Sequence, residues 1–208
     1  ANRGLKHLAI RSFPRRLISF ERMPLHVVQA QRPPERLEGG GFTIRDIMDG
    51  IPFQNLDPFL LWHEIPRAFH KPGSFPGAPR HPHRGFMECP YFREMTADTG
   101  VASMESTVWA GGKHRTIQAE PGSFELGRIG IGMEHGGLID KKWSGYIHMF
   151  QLWVNLPSAN KFDPPHFQNV MPSAVPHLEL EWGRVRVLHG ELMWYSGNIW
   201  IWSFCQMP

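Results

Sequence analysis

The sequence predicts an all-β protein, a sandwich or barrel of short strands. Three observations predict it. Apolar residues come in short runs bounded by turn residues, at a spacing of roughly 8–12 residues. The chain holds 21 Gly and 19 Pro in 208 residues, which cut it into segments too short for a helical bundle. No long stretch repeats apolar residues at helical spacing.

Taken in order, residues 31–41 (QRPPERLEGGG) are turn-rich and read as a surface loop entering the domain. From Phe42 to Ile47, Phe42 and Ile44 alternate with Thr43 and Arg45, a short strand. Asn55 to Trp62 (NLDPFLLW) is a turn followed by an apolar run, hence a buried strand. Residues 66–80 (PRAFHKPGSFPGAPR) are dense in Pro and Gly and predict a long loop of functional type. Val101–Trp109, Arg115–Ala119 and Ser123–Leu126 read as strands, with Gly111-Gly112 and Pro121-Gly122 as turns. GYIHMFQLWVN (145–155) is a strand of large alternating residues, residues 157–176 read as a linker, and RVRVL (184–188) is a further strand. No internal repeat interrupts this order.

Composition removes several classes of function. Hydrophobic residues at 41% suffice for a core. No apolar run approaches the roughly 18 residues of a membrane span. Cys89 and Cys205 stand alone, so there is neither a disulfide framework nor a zinc finger, and a reducing compartment is expected. The net charge of +3 comes from the first 20 residues, where Arg3, Lys6, Arg11, Arg15 and Arg16 occur without an acid; the rest has 17 basic against 19 acidic residues. The body of the protein therefore carries no basic stripe and is not expected to bind nucleic acid directly. Within residues 1–22 the basic residues are mixed with Leu5, Leu8, Ile10, Phe13 and Leu17, the composition of an organelle-targeting presequence or of a disordered basic tail.

The chemistry-bearing residues are histidines. His81 and His83 form an H-x-H pair, and on a strand residues two apart project to the same face, so two imidazoles can meet one metal. Pro82 between them confines the segment to an edge, a bulge or a strand start. A site needs further ligands, and His114, His135 and His148 are the candidates that spacing leaves unranked. His135 lies in the glycine-rich GRIGIGMEHGG, whose backbone can pack closely. Imidazole ligands suit Fe, Ni, Cu and Zn.

Four blocks in order, DPFLLWHE (57–64), HPHRGF (81–86), GIGMEH (130–135) and QLWVNLP (151–157) followed by PHFQ (165–168), resemble the pirin family of cupins over roughly residues 37–192. The resemblance implies a cupin fold, a double-stranded β-helix or jelly-roll barrel. Pirins hold two such barrels and a mononuclear iron site in the first. It implies that residues 23–165 form the N-terminal cupin, that 166–192 are linker and the start of a second barrel, and that the second barrel is missing. It implies His81, His83 and His135 as ligands of Fe(2+), with other divalent metals as alternatives. Two functions follow from it. One is a dioxygenase of the quercetin 2,3-dioxygenase type, which opens a flavonol ring with release of CO. The other is a non-catalytic, iron-dependent co-regulator that acts on a transcription-factor partner, cytoplasmic or nuclear. A metal-free remnant of the fold is a third reading.

The chain departs from the family in two places. Where the pattern has a glutamate two residues past the third histidine, this chain has Gly137. Glu88 and Glu134 are the candidates to replace it, as fourth ligand or as acceptor of the substrate hydroxyl proton. On a regular strand both have the wrong parity relative to the histidines, unless a bulge intervenes before Glu88, which does fit the looser general cupin spacing of H-x-H, four residues, then Glu. The tail 193–208 (MWYSGNIWIWSFCQMP) does not resemble the family and is expected to be poorly ordered, with an added edge strand as the alternative.

Overall fold

The computed structural model describes residues 31–202, except 39, 181–182, 189–190 and 196–197. The basic segment 1–22 and the last residues of the tail, 203–208, lie outside the described residues. The described chain contains strands and short 3-10 turns, and no helix long and apolar enough to cross a membrane. This is the all-β architecture expected from the short strands and frequent turn residues.

Eleven strands build the barrel: β1 (Arg36–Glu38), β2 (Phe42–Asp46), β3 (Phe59–His70), β4 (Ala78–His83), β5 (Phe86–Met95), β6 (Met104–Ala110), β7 (Lys113–Ala119), β8 (Phe124–Arg128), β9 (Met133–Leu138), β10 (Gly145–Asn155) and β11 (His166–Val170). They form a seven-stranded sheet in the order β1-β2-β3-β10-β5-β8-β11 and a four-stranded sheet in the order β4-β9-β6-β7. The pairings are antiparallel. The long strand β10 sits between β3 and β5, so the QLWVN segment lies at the heart of the larger sheet. Phe92, Met95, Met104, Trp143, Ile147 and Met149 form the main core cluster. That cluster joins β5 and β10 of the larger sheet to β6 of the smaller one, so it lies between the sheets. Burial of such side chains is worth roughly 1.5–3 kcal/mol each and is what holds two sheets face to face.

Two glycine turns set connections between consecutive strands. Gly111 and Gly112 take φ of +57° and +74° between β6 and β7. Two successive positive φ angles make a tight hairpin whose twist matches the strands. Arg84-Gly85, with Gly85 at φ +82°, carries the chain from β4 in the small sheet to β5 in the large one. His83 and Glu88 are thereby placed on different sheets although five residues separate them.

The structure differs from the sequence expectation in several elements. The expected loop 66–80 is mostly strand: β3 runs on to His70, β4 starts at Ala78, and residues 71–77 alone connect them. Pro66 is accommodated because the β3–β10 register is irregular next to it, between the Ile65 and Ala68 pairs. The expected linker 157–176 contains β11, which pairs with β8 and extends the larger sheet past residue 165. Further on, β12 (His177–Leu180) pairs with β13 (Gly183–Arg186), which takes the place of the expected strand 184–188. In the tail, β14 (Glu191–Tyr195) and β15 (Asn198–Trp202) pair with each other as a hairpin. They do not add to an edge of either larger sheet.

Candidate metal centre

β4 and β9 are hydrogen-bonded neighbours, and their register sets His81 opposite His135. His83, two residues along β4, points to the same side as His81. The register therefore turns an H-x-H pair and one distant histidine into a cluster. His135 Nε2 lies 2.9 Å from His81 Nε2 and 3.1 Å from His83 Nε2, and one nitrogen from each ring falls within 4.8 Å of the others. His114 stands exposed on β7 opposite Trp109. His148, on β10, is bonded to Glu64 Oε1 at 2.9 Å. Neither joins the cluster.

The tautomer of His81 is fixed by its surroundings. Its Nδ1 lies 2.6 Å from the carbonyl oxygen of Pro79, which can only accept, so Nδ1 carries the proton and donates. The lone pair of His81 Nε2 is left facing His135. Backbone carbonyls orient metal-binding histidines in this way. His83 is held by aromatic walls: Phe86 and Trp153 stack at 4.5 Å, and each meets the His83 ring at 5.1 Å. Burial first, and then the charge of neighbouring His81, pushes the His83 pKa down to about 4. Burial, with His81 and His83 adding to it, pushes His135 down to about 3. Both rings are therefore neutral at physiological pH, the form that ligates a metal.

Three neutral imidazoles cannot satisfy one another. Each has one donor and one acceptor nitrogen, and His135 Nε2 cannot serve two partners in its ring plane. A cation accepts all three lone pairs. Two nitrogens each about 2.1 Å from one ion and at a right angle to it lie about 3 Å apart, which matches the spacings above. The donor set thus fits a divalent metal held on one face, with the opposite positions open.

Glu88 approaches the same point from β5. Its Oε2 lies 3.1 Å from His135 Nε2 and 3.7 Å from His83 Nε2. Its Oε1 accepts a hydrogen bond from Gln151 Nε2 on β10. The side chain is 3% exposed. Burial pushes its carboxyl up to about 8, against the hydrogen bond from Gln151 and with a further push from Glu125. Among the described residues no other carboxylate comes within 4.0 Å of the three rings. Glu134, the other acid expected near the site, faces away from it: Arg80 Nε donates to its Oε2 at 2.8 Å on the exposed side of β9. At Gly137 a Cβ would lie 2.8 Å from Met104 Sδ, so Met104 fills the space that a longer side chain there would need.

The cluster opens into a cavity of about 470 Å³ between the two sheets. Its walls are largely apolar, with Phe42, Ile44, Phe92, Met149 and Trp153 on the larger sheet and Met104 on the smaller. A second polar group, Glu125 with Ser106, also lines it. Neither residue was singled out in the sequence. Ser123–Leu126 alternates Phe124 and Leu126 against Glu125, which reads as a core face and a solvent face. In the structure both faces are covered, because Phe124 packs with Met87, Cys89 and Leu156 while Glu125 faces the cavity. Gln151 and the Pro79 carbonyl were likewise missed, since their roles exist only once β4, β5 and β10 are assembled.

No protein-family model matches the chain. Pirin of Homo sapiens is 30% identical over 166 residues, 80% of this chain and 52% of pirin. A pirin-like protein of Solanum lycopersicum is 30% identical over 156 residues, 75% of this chain and 48% of that protein. The chain spans about half the length of the curated relatives it matches. Among solved structures, a quercetin 2,3-dioxygenase from Acinetobacter baumannii superposes with a TM-score of 0.64 at 25% identity, covering 86% of this chain and 58% of that one. The structure of GK1651 from Geobacillus kaustophilus gives 0.61 at 25% identity, covering 80% and 60%.

Proposed function

The chain being a pirin-like member of the cupins, we propose that it is a metal-dependent protein of the quercetin 2,3-dioxygenase type, with Fe(II) as its metal and a flavonol-like aromatic as its substrate. The observation that carries this reading is the convergence of three imidazole Nε2 atoms and one buried carboxylate at the edge of an apolar cavity. His81, His83 and His135 are the ligands, and Glu88 is the carboxylate of the centre. The bound ion would supply Lewis acidity toward the substrate oxygens and the one-electron chemistry that reaction with O₂ requires.

The protein supplies the rest. Pro79 holds the His81 ring in its tautomer, and the Phe86–Trp153 stack fixes His83. Glu88 favours its ionised form beside a cation held by the three histidines, and its Oε2 is then positioned to take the hydroxyl proton of a substrate seated beside them, while Gln151 holds the other carboxyl oxygen and keeps the group from turning away. The apolar walls exclude water and accept a planar aromatic body.

The test has two stages. Purified protein loaded with Fe(II), Ni(II) or Zn(II) is desalted and its metal counted. About one ion per chain is expected, and His83→Ala should abolish it; uptake far below one ion by the wild type would overturn the metal centre. The Fe(II) form is then mixed with quercetin in air and the flavonol absorbance followed. Loss of absorbance that needs both metal and O₂ supports the dioxygenase. Metal uptake without turnover would sink it and favour the iron-dependent co-regulator.

A further inference from the structure

Glu125 is 2% exposed, yet its carboxyl is poorly provided for. Ser106 Oγ donates to Oε2 at 3.2 Å, a long bond, and Oε1 has no partner among the described residues. No described cation forms an ion pair with it within 4.0 Å. Ordinarily a buried carboxyl is paired, because an unpaired one costs stability. Here the orphan oxygen belongs to a residue that lines the cavity. Register shows how it arrives there: Glu88 on β5 lies opposite Gly127 on β8, so Glu125, two residues back along β8, shares the face that carries Glu88. The cavity is apolar between these groups and large enough, at about 470 Å³, for a ligand of three fused or linked rings.

We propose that Glu125, supported by Ser106, is a second ligand-binding position in this cavity, which accepts a hydroxyl group on an aromatic ligand whose other oxygen atoms face the histidine cluster. The position makes the cavity selective for polyhydroxylated aromatics over those oxygenated at one end alone. A site built to bond a hydroxyl rejects analogues that lack it, because its own buried polar atom is then left unpaired. Glu125 is a binding residue in this scheme and takes no part in bond making. The inference deepens the flavonol reading of the same cavity and rests on it.

The experiment uses the full chain loaded with Zn(II), which binds without consuming the probe. Two probes are titrated: quercetin, and 3-hydroxyflavone, which keeps the metal-facing oxygens and lacks the remaining hydroxyls. Wild-type protein should bind quercetin about tenfold more tightly than 3-hydroxyflavone, the worth of one hydrogen bond to a buried carboxyl. Glu125→Leu should bring the two affinities to within about twofold by weakening quercetin alone. Glu125→Gln, whose carbonyl still accepts, should retain part of the preference. The melting temperature of Glu125→Leu should be no lower than wild type, since an apolar side chain removes the buried acid. An unchanged preference in Glu125→Leu, equal weakening of both probes, or a lowered melting temperature would each overturn the proposal and show a structural or water-bound carboxyl. Equal affinity of wild type for the two probes overturns the second position alone. Wild-type binding of neither overturns it together with the flavonol reading.

Discussion

Replacing Glu125 by Gln in metal-free protein should change how stability depends on pH, and the size of the change follows from the burial of the carboxyl. Burial pushes Glu125 from its ordinary value of 4.5 up to about 7, with the Ser106 hydrogen bond acting against it. The folded state therefore holds this proton more tightly than the unfolded chain does. Stability associated with it is fully present below pH 4.5, declines as the pH rises, and is gone above about pH 7. Each pH unit across that window is worth about 1.4 kcal/mol, so the loss is about 3 kcal/mol. Glu88 titrates in the same direction and would mask the effect, so both proteins in the comparison carry Glu88→Gln. Urea unfolding read by tryptophan fluorescence at pH 4.5, 6 and 8 gives the stabilities. The parent should fall by about 3 kcal/mol more than the Glu125→Gln form between the lowest and highest pH. Superimposable pH profiles would refute the reasoning, because they would mean that the carboxyl is hydrated in the folded state.

Three other outcomes follow from the geometry. Glu88→Gln should lower Zn(II) affinity about 10–100-fold in chelator competition while the far-UV spectrum stays unchanged, since it removes the carboxylate at the cluster but not the fold. Gly137→Glu, the residue expected from the family pattern, should destabilise the protein by about 1–3 kcal/mol in chemical denaturation, because its Cβ would meet Met104 Sδ at 2.8 Å; combined with Met104→Ala it should cost less than the sum of the two single losses, because the clash is then gone. Trp153→Leu removes the stacking partner of Phe86 and one wall of His83, and should weaken metal binding about tenfold by freeing the ring that ligates.

Much of the barrel was legible in the sequence because its strands carry local signals. The alternation at Phe42–Asp46, the Gly111-Gly112 turn and the GYIHMFQLWVN run each specify an element without help from distant residues. The segments read otherwise are those where tertiary pairing overrides composition. Residues 66–80 are rich in Pro and Gly, yet β10 supplies partners for β3 as far as His70, and a register irregularity near Pro66 absorbs its missing donor. Residues 166–170 look like linker in isolation and become a strand because β8 offers a free edge.

The site divides in the same way. His81 and His83 announce themselves by spacing, since a two-residue period is a property of one strand. The placement of His135 depends on the β4–β9 register, which no local pattern reveals, and the family resemblance was needed to choose it over His114 and His148. Glu88 shows why parity reasoning fails across a turn. Counted along one strand, five residues from His83, it falls on the wrong face. The chain leaves that strand at Gly85 and enters the opposite sheet at Phe86, so the face of Glu88 is set by its β8 and β10 neighbours and not by its distance from His83. Glu88 reaches the histidines from the opposite sheet, while at position 137 Met104 already occupies the space a side chain would need. The glycine there and the glutamate on β5 are thus two parts of one arrangement: a barrel interior that keeps one carboxylate beside three imidazoles while drawing it from a different wall.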